Sequence, residues 1–234
     1  MPDLQFRIEG AEVARYAATP LLNFKLRVTN GNAAEIANVN LQCQIQIEAV
    51  RRPYRPDEQF KLQDLFGESQ RWDQTLRTML WTRTSILIPS FENECLLDLP
   101  VACTFDFNVV TTKYFHALEE GDIPLSFQFS GSIFYRGKDG GLQVGQIPWD
   151  RDIRFKLPVA LWREMIEHYY PNGAWLCLNR DVFDRLYEYK IRHGLPSWEA
   201  AMEHALDHSM PRTNPYSTPN TTLPSTQALE EIEP

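Results

Sequence analysis

The strongest structural signal in the chain lies in the segment Asn38-Val-Asn-Leu-Gln-Cys-Gln-Ile-Gln-Ile-Glu48. Apolar and polar side chains alternate there without a break. Because successive side chains of a β-strand point to opposite faces, this period of two predicts a strand with one buried face and one solvent-facing face. The same alternation predicts further strands that begin at Leu4 and at Leu22.

Farther along the chain the alternation predicts strands of more varied length. Apolar residues share one face over 97–109, and we expect Pro100 to mark the start of that strand or a bulge, because proline cannot donate to a central ladder. A strand over 125–129 is followed by Gly131, where we expect a bend. The remaining predicted strands lie at 133–135, at 142–144 after the turn Gly137-Lys-Asp-Gly-Gly141, and at 153–157.

The fold class follows from this one-sided pattern. Strands of a parallel sheet are apolar on both faces and are separated by helices, and the pattern shows neither feature. We therefore predict a mainly β protein with a helical annex: an antiparallel β-sandwich over 1–158, followed by about three C-terminal helices. A barrel is the alternative.

An insertion at 51–80 interrupts the predicted strands. It begins with Arg51-Arg-Pro-Tyr-Arg-Pro56, whose two prolines favour an extended or turning backbone. Apolar residues then follow at helical spacings, the last of them at Trp72, Leu76 and Leu80. We predict a partly helical insertion that packs over one end of the sandwich.

Beyond the predicted sandwich the hydrophobic period changes from two to about 3.6 residues. This change predicts a three-helix annex over 159–208, packed on the sandwich. Its second helix is expected to begin at the N-cap Asn179 and to end at Gly194, and its third helix to begin at the N-cap Ser197. Residues 209–234 are rich in Pro, Thr, Ser and Asn, which predicts a disordered tail.

Composition and charge limit the kinds of partner that we expect the protein to bind and the cellular compartment in which we expect it. The 234 residues are 43% hydrophobic and 23% charged, which is typical of a globular protein, and the net charge of −8 argues against a nucleic-acid or anionic-membrane surface as the main partner. The N-terminal residues lack a secretory signal, and no apolar run is long enough to span a bilayer. We expect a cytoplasmic protein that binds a protein partner and carries no cofactor.

Several segments resemble an uncharacterised bacterial protein family. They are Phe6-Arg-Ile-Glu-Gly-Ala11, Trp162-Arg-Glu-Met-Ile-Glu-His-Tyr-Tyr-Pro171, Trp175-Leu-Cys-Leu178, Asp181-Val-Phe-Asp-Arg-Leu186 and Gly194-Leu-Pro-Ser-Trp-Glu-Ala-Ala201. The resemblance covers about residues 4–208. It implies an all-β body with a helical annex and no assigned activity or catalytic residues, and an association with nickel–iron hydrogenase gene neighbourhoods that would suggest an accessory or assembly role.

One loop offers candidate binding residues, namely Arg51, Arg52, Tyr54 and Arg55. Guanidinium groups bind carboxylates and phosphates through two parallel hydrogen bonds, so this loop is a candidate site for an acidic peptide or a phosphate. The alternative interpretation is a loop of three charged side chains that are simply solvated.

Histidines and cysteines were considered for metal binding or catalysis. His204 and His208 are four residues apart, as a two-histidine metal site requires, but Ala205 stands where a zinc-protease motif has glutamate. We predict no metal site and interpret these histidines as partners of a helix C-terminus. Cys43 and Cys103 lie on apolar strand faces, which predicts buried thiols with a raised pKa.

Three functional hypotheses remain open at this point. The first is a non-enzymatic interaction or assembly protein that docks through its annex and insertion, because aromatic residues are dense in the annex and exposed ones mark interfaces. The second is a small-molecule or carbohydrate-binding module with aromatics such as Tyr135 or Trp149 on a concave sheet. The third is a metal-dependent enzyme.

Overall fold

The structure is a computed structural model that describes residues 2–32, 34–103, 109–137, 139–173 and 178–209. The chain divides into two compact units, residues 1–175 and 176–234. The first unit contains every strand of the described residues and the second contains two helices. None of the helices in the described ranges is long and apolar enough to cross a membrane.

Eight strands of the first unit form two antiparallel sheets within the described part of the chain. They are β1 (Leu4–Val13), β2 (Leu21–Asn30), β3 (Ile36–Ile47), β4 (Met79–Ile88), β5 (Glu94–Ala102), β6 (Asp122–Arg136), β7 (Leu142–Gln146) and β8 (Asp152–Pro158). One sheet has the order β1-β2-β5 and the other the order β4-β3-β6-β7, with β8 also paired to β6. The prediction of a mainly β protein with antiparallel sheets is confirmed.

The apolar faces of the two sheets meet in one hydrophobic core. Phe6 of β1 stacks on Phe129 of β6 with ring centroids 4.4 Å apart, and Phe24 of β2 meets the edge of Phe127 at 5.1 Å. Such aromatic pairs add stability beyond the area that they bury. The polar residues of β3 alternate outward, as the sequence pattern predicted.

Strand β4 was missed by the sequence analysis, which placed Leu80 at a helical spacing. Leu80 lies in β4, and that prediction is wrong. Thr82 and Thr84 pair with Ile45 and Cys43 of β3. Polar threonines therefore stand at inward-facing positions, where apolar residues would have made the alternation visible in the sequence. Thr84 satisfies its hydroxyl by donating to the Pro100 carbonyl at 3.1 Å.

The predicted strand over 97–109 is too long. Strand β5 ends at Ala102 and Val109 begins helix α3 (Val109–Ala117), while residues 104–108 lie outside the described residues. Pro100 falls inside β5 and marks neither its start nor a bulge. Proline is tolerated there because β5 is an edge strand of its sheet, so the backbone groups on its outer side form no ladder hydrogen bonds with a further strand of that sheet.

The bend expected at Gly131 does not interrupt the strand. Strand β6 continues through this residue as a single strand of 15 residues, so 125–129 and 133–135 belong to one element. Its first half pairs with β8 and its second half with β7, while β3 pairs along the whole of its other side. Gly131 has another role, because its backbone approaches the Asn40 carbonyl of β3 closely.

Helices are more numerous and more widely distributed than predicted. The six α-helices of the described residues are α1 (Pro56–Phe66), α2 (Trp72–Thr75), α3, α4 (Val159–Tyr169), α5 (Arg180–Arg192) and α6 (Trp198–Ser209). Three of them precede β6, so the prediction of about three helices, all C-terminal, is corrected. Helices α1 and α2 lie within the predicted insertion at 51–80, and α4 is part of the first unit.

The second unit contains a helical hairpin of α5 and α6. Asn179 is the N-cap of α5 as predicted, and its carbonyl accepts from the backbone N–H groups of Val182 and Phe183. Gly194 adopts a positive φ of 64° after the helix, a conformation that favours glycine. Ser197 caps α6 by accepting from the Ala200 N–H at 3.1 Å. The predicted disordered tail, apart from Ser209, lies outside the described residues.

Candidate functional site

The predicted binding loop lies just before α1, and its central arginine is buried. The side chain of Arg52 is 6% exposed and that of Glu58 is 1% exposed. Each terminal guanidinium nitrogen of Arg52 donates to a different carboxylate oxygen of Glu58, both at 2.8 Å. This bidentate pair joins the loop to the first turn of α1.

Arg52 also binds the connection between α3 and β6. Its Nε donates to the Asp122 carbonyl at 3.1 Å, and its Nη2 donates to the Glu120 carbonyl at 2.5 Å. Its Nη1 donates to the Pro53 carbonyl at 3.2 Å. These contacts and the pair with Glu58 engage all five donors of the guanidinium group. The interpretation of three solvated charges is therefore wrong for Arg52, which has a structural role.

Glu58 accepts two further hydrogen bonds from backbone groups. The N–H of Arg55 donates at 3.1 Å and the N–H of Glu119 donates at 2.9 Å. Burial of the Glu58 carboxyl raises its pKa, but the bonds from Arg52 and from the two backbone groups outweigh burial and hold the pKa at about 2. The ionised form of Glu58 is thus strongly favoured in the folded state.

We expect the contribution of Glu58 to stability to disappear in acid. Its folded pKa of about 2 lies below the ordinary value of 4.5, so the contribution is complete above pH 5 and is lost as the pH falls from 4.5 towards 2. Urea unfolding of the wild type and of Glu58→Gln should differ by up to about 3 kcal/mol at pH 6, and this difference should shrink steadily below pH 4.5. A difference that stays constant down to pH 3 would contradict the assignment.

Tyr54 is also a structural residue of this loop. Its hydroxyl lies 2.8 Å from the Ala49 carbonyl and 2.8 Å from the Tyr114 hydroxyl. Burial raises the pKa of both tyrosines, that of Tyr114 to about 12. The ring of Tyr54 also lies 5.1 Å from the guanidinium carbon of Arg52. These contacts hold Tyr54 within the fold.

The two outer arginines of the loop are more accessible. Arg51 pairs with Glu48 at 3.1 Å and its side chain is 51% exposed. Arg55 pairs with Asp57 at 3.1 Å and with Glu120 at 2.8 Å, and its side chain is 52% exposed. Ligand binding by these two residues stays a prediction, since an acidic ligand would have to displace carboxylates of the protein.

The second unit carries the most apolar exposed helix surface of the described residues. Phe183, Tyr187 and Ile191 repeat at every fourth position of α5 and so share one face, which we call the apolar stripe. Their exposed fractions are 44%, 49% and 62%. No residue of α5 is buried, so the apolar side chains of this helix keep part of their surface in contact with water.

Helix α6 completes this surface with one aromatic residue. The Trp198 ring centroid lies 5.1 Å from that of Phe183 and 6.0 Å from that of Tyr187. Lys190 lies over the Trp198 ring, with its Nζ 5.9 Å from the centroid. The apolar stripe and Trp198 therefore form one aromatic patch that depends on the pairing of the two helices.

An acidic row lies on α6 beside an exposed leucine. Glu199, Glu203 and Asp207 repeat at every fourth position, and we call them the acidic stripe. Helix α6 contains no lysine or arginine, and Leu206 next to the stripe is 56% exposed. The sequence analysis overlooked this row and Ile191, although the four-residue spacing of both is visible in the sequence.

The other candidate residues have varied surroundings. Cys43 is buried and Cys103 is partly buried, and burial raises the pKa of both thiols to about 12, which confirms that prediction. The rings of His204 and His208 stack 4.1 Å apart on α6. No group of three or more His, Cys, Asp or Glu within the described residues is arranged to hold a metal ion.

The two aromatics proposed for a carbohydrate site lie in different surroundings. Tyr135 packs partly buried against the core, whereas Trp149 is 94% exposed in the loop between β7 and β8. A groove of about 710 Å³ lies elsewhere on the first unit, between the turn that joins β1 and β2 and helix α4. Its lining includes Glu12, Arg15 and Tyr16.

Comparison with known proteins places the chain in a family. A family model, described as a family of unknown function (DUF6084), matches residues 1–214. The chain belongs to this family. The DUF6084 match includes both sheets and the helical hairpin, and it agrees with the resemblance to an uncharacterised family. No curated protein matches the chain.

Similarity to solved structures is weak. A CARDB domain from Pyrococcus furiosus, solved in complex with di-metal ions, has 10% identity and a TM-score of 0.25 over 67% of this chain and 87% of its own. A β-glucosidase from Kluyveromyces marxianus has 10% identity and a TM-score of 0.26 over 66% of this chain and 15% of its own. β-Glucosidase 3B from Thermotoga neapolitana has 11% identity and a TM-score of 0.25 over 66% and 17%. Similarities at this level support no functional argument.

Proposed function

We propose that this protein is a non-enzymatic interaction protein, acting as an accessory or assembly factor, and that it docks a protein partner through the helical hairpin. The observation that carries the proposal is the exposure of the apolar stripe together with Trp198. Exposed aromatic clusters of this kind are typical of protein interfaces, where Trp and Tyr supply much of the binding energy.

The energetic argument starts from the helix itself. Phe183, Tyr187 and Ile191 keep between 44% and 62% of their surface in contact with water. Removing apolar surface from water gains about 25 cal/mol per Å², so covering these three side chains with a partner is favourable. Because the stripe is fixed on a helix, little conformational entropy is lost when a partner covers it.

Charge indicates the chemistry of the partner. The acidic stripe contains Glu199, Glu203 and Asp207, and all three side chains are exposed. A partner surface that combines apolar side chains with lysine or arginine would match both stripes, because complementary charge speeds association and disfavours wrong partners. An anionic surface such as nucleic acid would be repelled.

We expect capture of the partner to depend on the apolar stripe. The double variant Tyr187→Ser/Ile191→Ser should reduce the amount of partner recovered from native extract by at least about tenfold, as measured by quantitative mass spectrometry. The matched control is Leu87→Ser/Leu142→Ser, which changes side chains that are 66% and 64% exposed on the first unit. Equal recovery with the stripe variant and the control would contradict the proposal.

The cellular setting proposed here is cytoplasmic. Cys43, Cys95 and Cys103 are free thiols, which fits a reducing compartment. An association with a hydrogenase-related complex stays a prediction that derives from the family resemblance alone.

A small-molecule or carbohydrate-binding role is the second candidate function. The groove of about 710 Å³ favours it, because ligand sites are concave and have a volume of several hundred Å³. The lining is less favourable: among the described residues that form it, Tyr16 is the single aromatic one, and Arg15 is engaged with Glu164 at 2.9 Å. A metal-dependent enzyme stays the third alternative.

A further inference from the structure

The helical hairpin contains a cluster of three histidines and one tyrosine. His193 at the end of α5 faces His204 of α6 with ring centroids 4.9 Å apart, and His208 stacks on His204 at 4.1 Å. Tyr189 lies 4.4 Å from His193, and its hydroxyl lies 2.5 Å from the Nδ1 of His204. We call these four residues the histidine cluster.

We infer that the histidine cluster is a pH-dependent lock that holds α5 and α6 together while its imidazoles are neutral and loosens when they are protonated. The cluster is one of two groups of ring contacts between the helices, the other being the contacts of Trp198. Ala201 is the only buried residue of the two helices. Leu186, Met202 and Ala205 are only partly buried, so the remaining apolar burial in the helix pair is modest.

Repulsion between protonated rings drives the loosening. The imidazoles that face each other across the two helices are those of His193 and His204, 4.9 Å apart, and two unit charges about 5 Å apart repel enough, even in water, to shift an equilibrium about fourfold. The other charged groups around the cluster are Lys190 and Arg192 on α5, which add positive charge, and Glu203 and Asp207 on α6, which oppose it. The cluster therefore gains repulsion with each imidazole that takes up a proton.

The direction of the effect follows from the pKa of His204. Removal from water lowers this pKa below its ordinary value of 6.5, and the charges of His208 and His193 lower it further, while Asp207 opposes them. A lowered folded pKa means that the cluster contributes stability above pH 6.5 and that this contribution is lost as the pH falls below that value. The hairpin should be tighter at pH 7.5 than at pH 5.

This loosening has a consequence for docking. Phe183 and Tyr187 come from α5 whereas Trp198 comes from α6, so the aromatic patch exists only while the helices are paired. Acidification would separate the two parts of the aromatic patch and would thereby lower the affinity for a partner. This consequence rests on the function proposed above, whereas the loosening itself is a property of the free protein.

Hydrogen exchange of the full chain without any partner tests the lock. Amide protection over 180–209, corrected for intrinsic exchange, should fall about fourfold between pH 7.5 and pH 5.0, while protection in β3 stays constant. In His193→Gln/His204→Gln this pH-dependent fall should disappear. The matched control His116→Gln/His168→Gln replaces two histidines of the first unit and should keep the fall.

Two results would overturn the inference: equal protection of the wild-type hairpin at both pH values, or a fall of the same size in His193→Gln/His204→Gln. If that variant is already unprotected at pH 7.5, the proton NMR titration of the wild type decides, because the inference requires His204 to titrate below its ordinary value of 6.5. A higher midpoint for His204 would refute the lock. Neither measurement involves a partner, so failure here is distinct from failure of the docking proposal.

Discussion

The replacement Arg52→Met is expected to lower the free energy of unfolding by about 3 to 5 kcal/mol, which is the usual effect of removing one partner of a buried ion pair. Methionine keeps much of the side-chain volume but leaves the Glu58 carboxylate buried without its counter-charge. The carbonyls of Glu120 and Asp122 lose their donor as well. Urea unfolding at pH 7 followed by circular dichroism measures the change.

The same loop supplies the matched controls. Arg51→Met and Arg55→Met remove the same type of side chain, but these two arginines are about half exposed and their ion pairs should contribute no more than about 1 kcal/mol each; Glu48, the partner of Arg51, also keeps its pair with Arg154. The double variant Arg52→Met/Glu58→Leu should recover much of the loss, because it removes the uncompensated charge. If Arg52→Met were no more harmful than Arg55→Met, the structural role given to Arg52 would be wrong.

These three arginines show where sequence analysis reaches its limit. Arg51, Arg52 and Arg55 are identical side chains within five residues, and no local pattern separates the buried one from the exposed ones. The difference arises from a chain segment about 70 residues away, because the carbonyls of Glu120 and Asp122 come into reach only after the α3–β6 connection folds against the loop. Sequence analysis identified the cluster but not its structural role.

For three of the strands, in contrast, the sequence pattern was sufficient for a correct prediction. The alternation in β1, β2 and β3 predicted these elements correctly, because one face of each is fully apolar and the burial of that face determines the register. Strand β4 was missed because threonines stand on its inward face, and Thr84 satisfies its hydroxyl through the Pro100 carbonyl, a contact that only the folded chain provides. Hydrophobic patterning predicts an element when burial alone stabilises it.

For the helical hairpin, the sequence predicted the helix boundaries but not which aromatic residues are exposed. Its boundaries were predicted well because Gly194 and Ser197 act locally, within one turn of the residues that they cap. Asn179 stands at the predicted N-cap position of α5, although its side chain makes no capping hydrogen bond. The density of aromatics was visible in the sequence, but their division between buried and exposed positions was not. Two paired helices have too few inward positions to bury all these rings, and this geometric limit leaves the apolar stripe exposed.

Gly131→Ala is the second substitution for which we expect a large effect. A Cβ atom at this position would lie 2.0 Å from the Asn40 carbonyl oxygen, a backbone atom that cannot turn aside, and the residue has a φ of 137° that side chains rarely adopt. The backbone conformation costs about 1 to 3 kcal/mol for a residue other than glycine, and forcing an extra carbon into a packed site costs about 1 to 3 kcal/mol more.

Together these two effects predict a loss of about 2 to 6 kcal/mol in the free energy of unfolding, measured by urea unfolding at pH 7. The control is Gly10→Ala in β1, where an added Cβ meets no atom within 4 Å, and we expect no loss there. Since Gly131 pairs with Leu41 at the middle of the ladder between β3 and β6, relief of the clash requires these central strands to separate. A harmless Gly131→Ala would therefore mean that β3 and β6 pair in a different register from the one described.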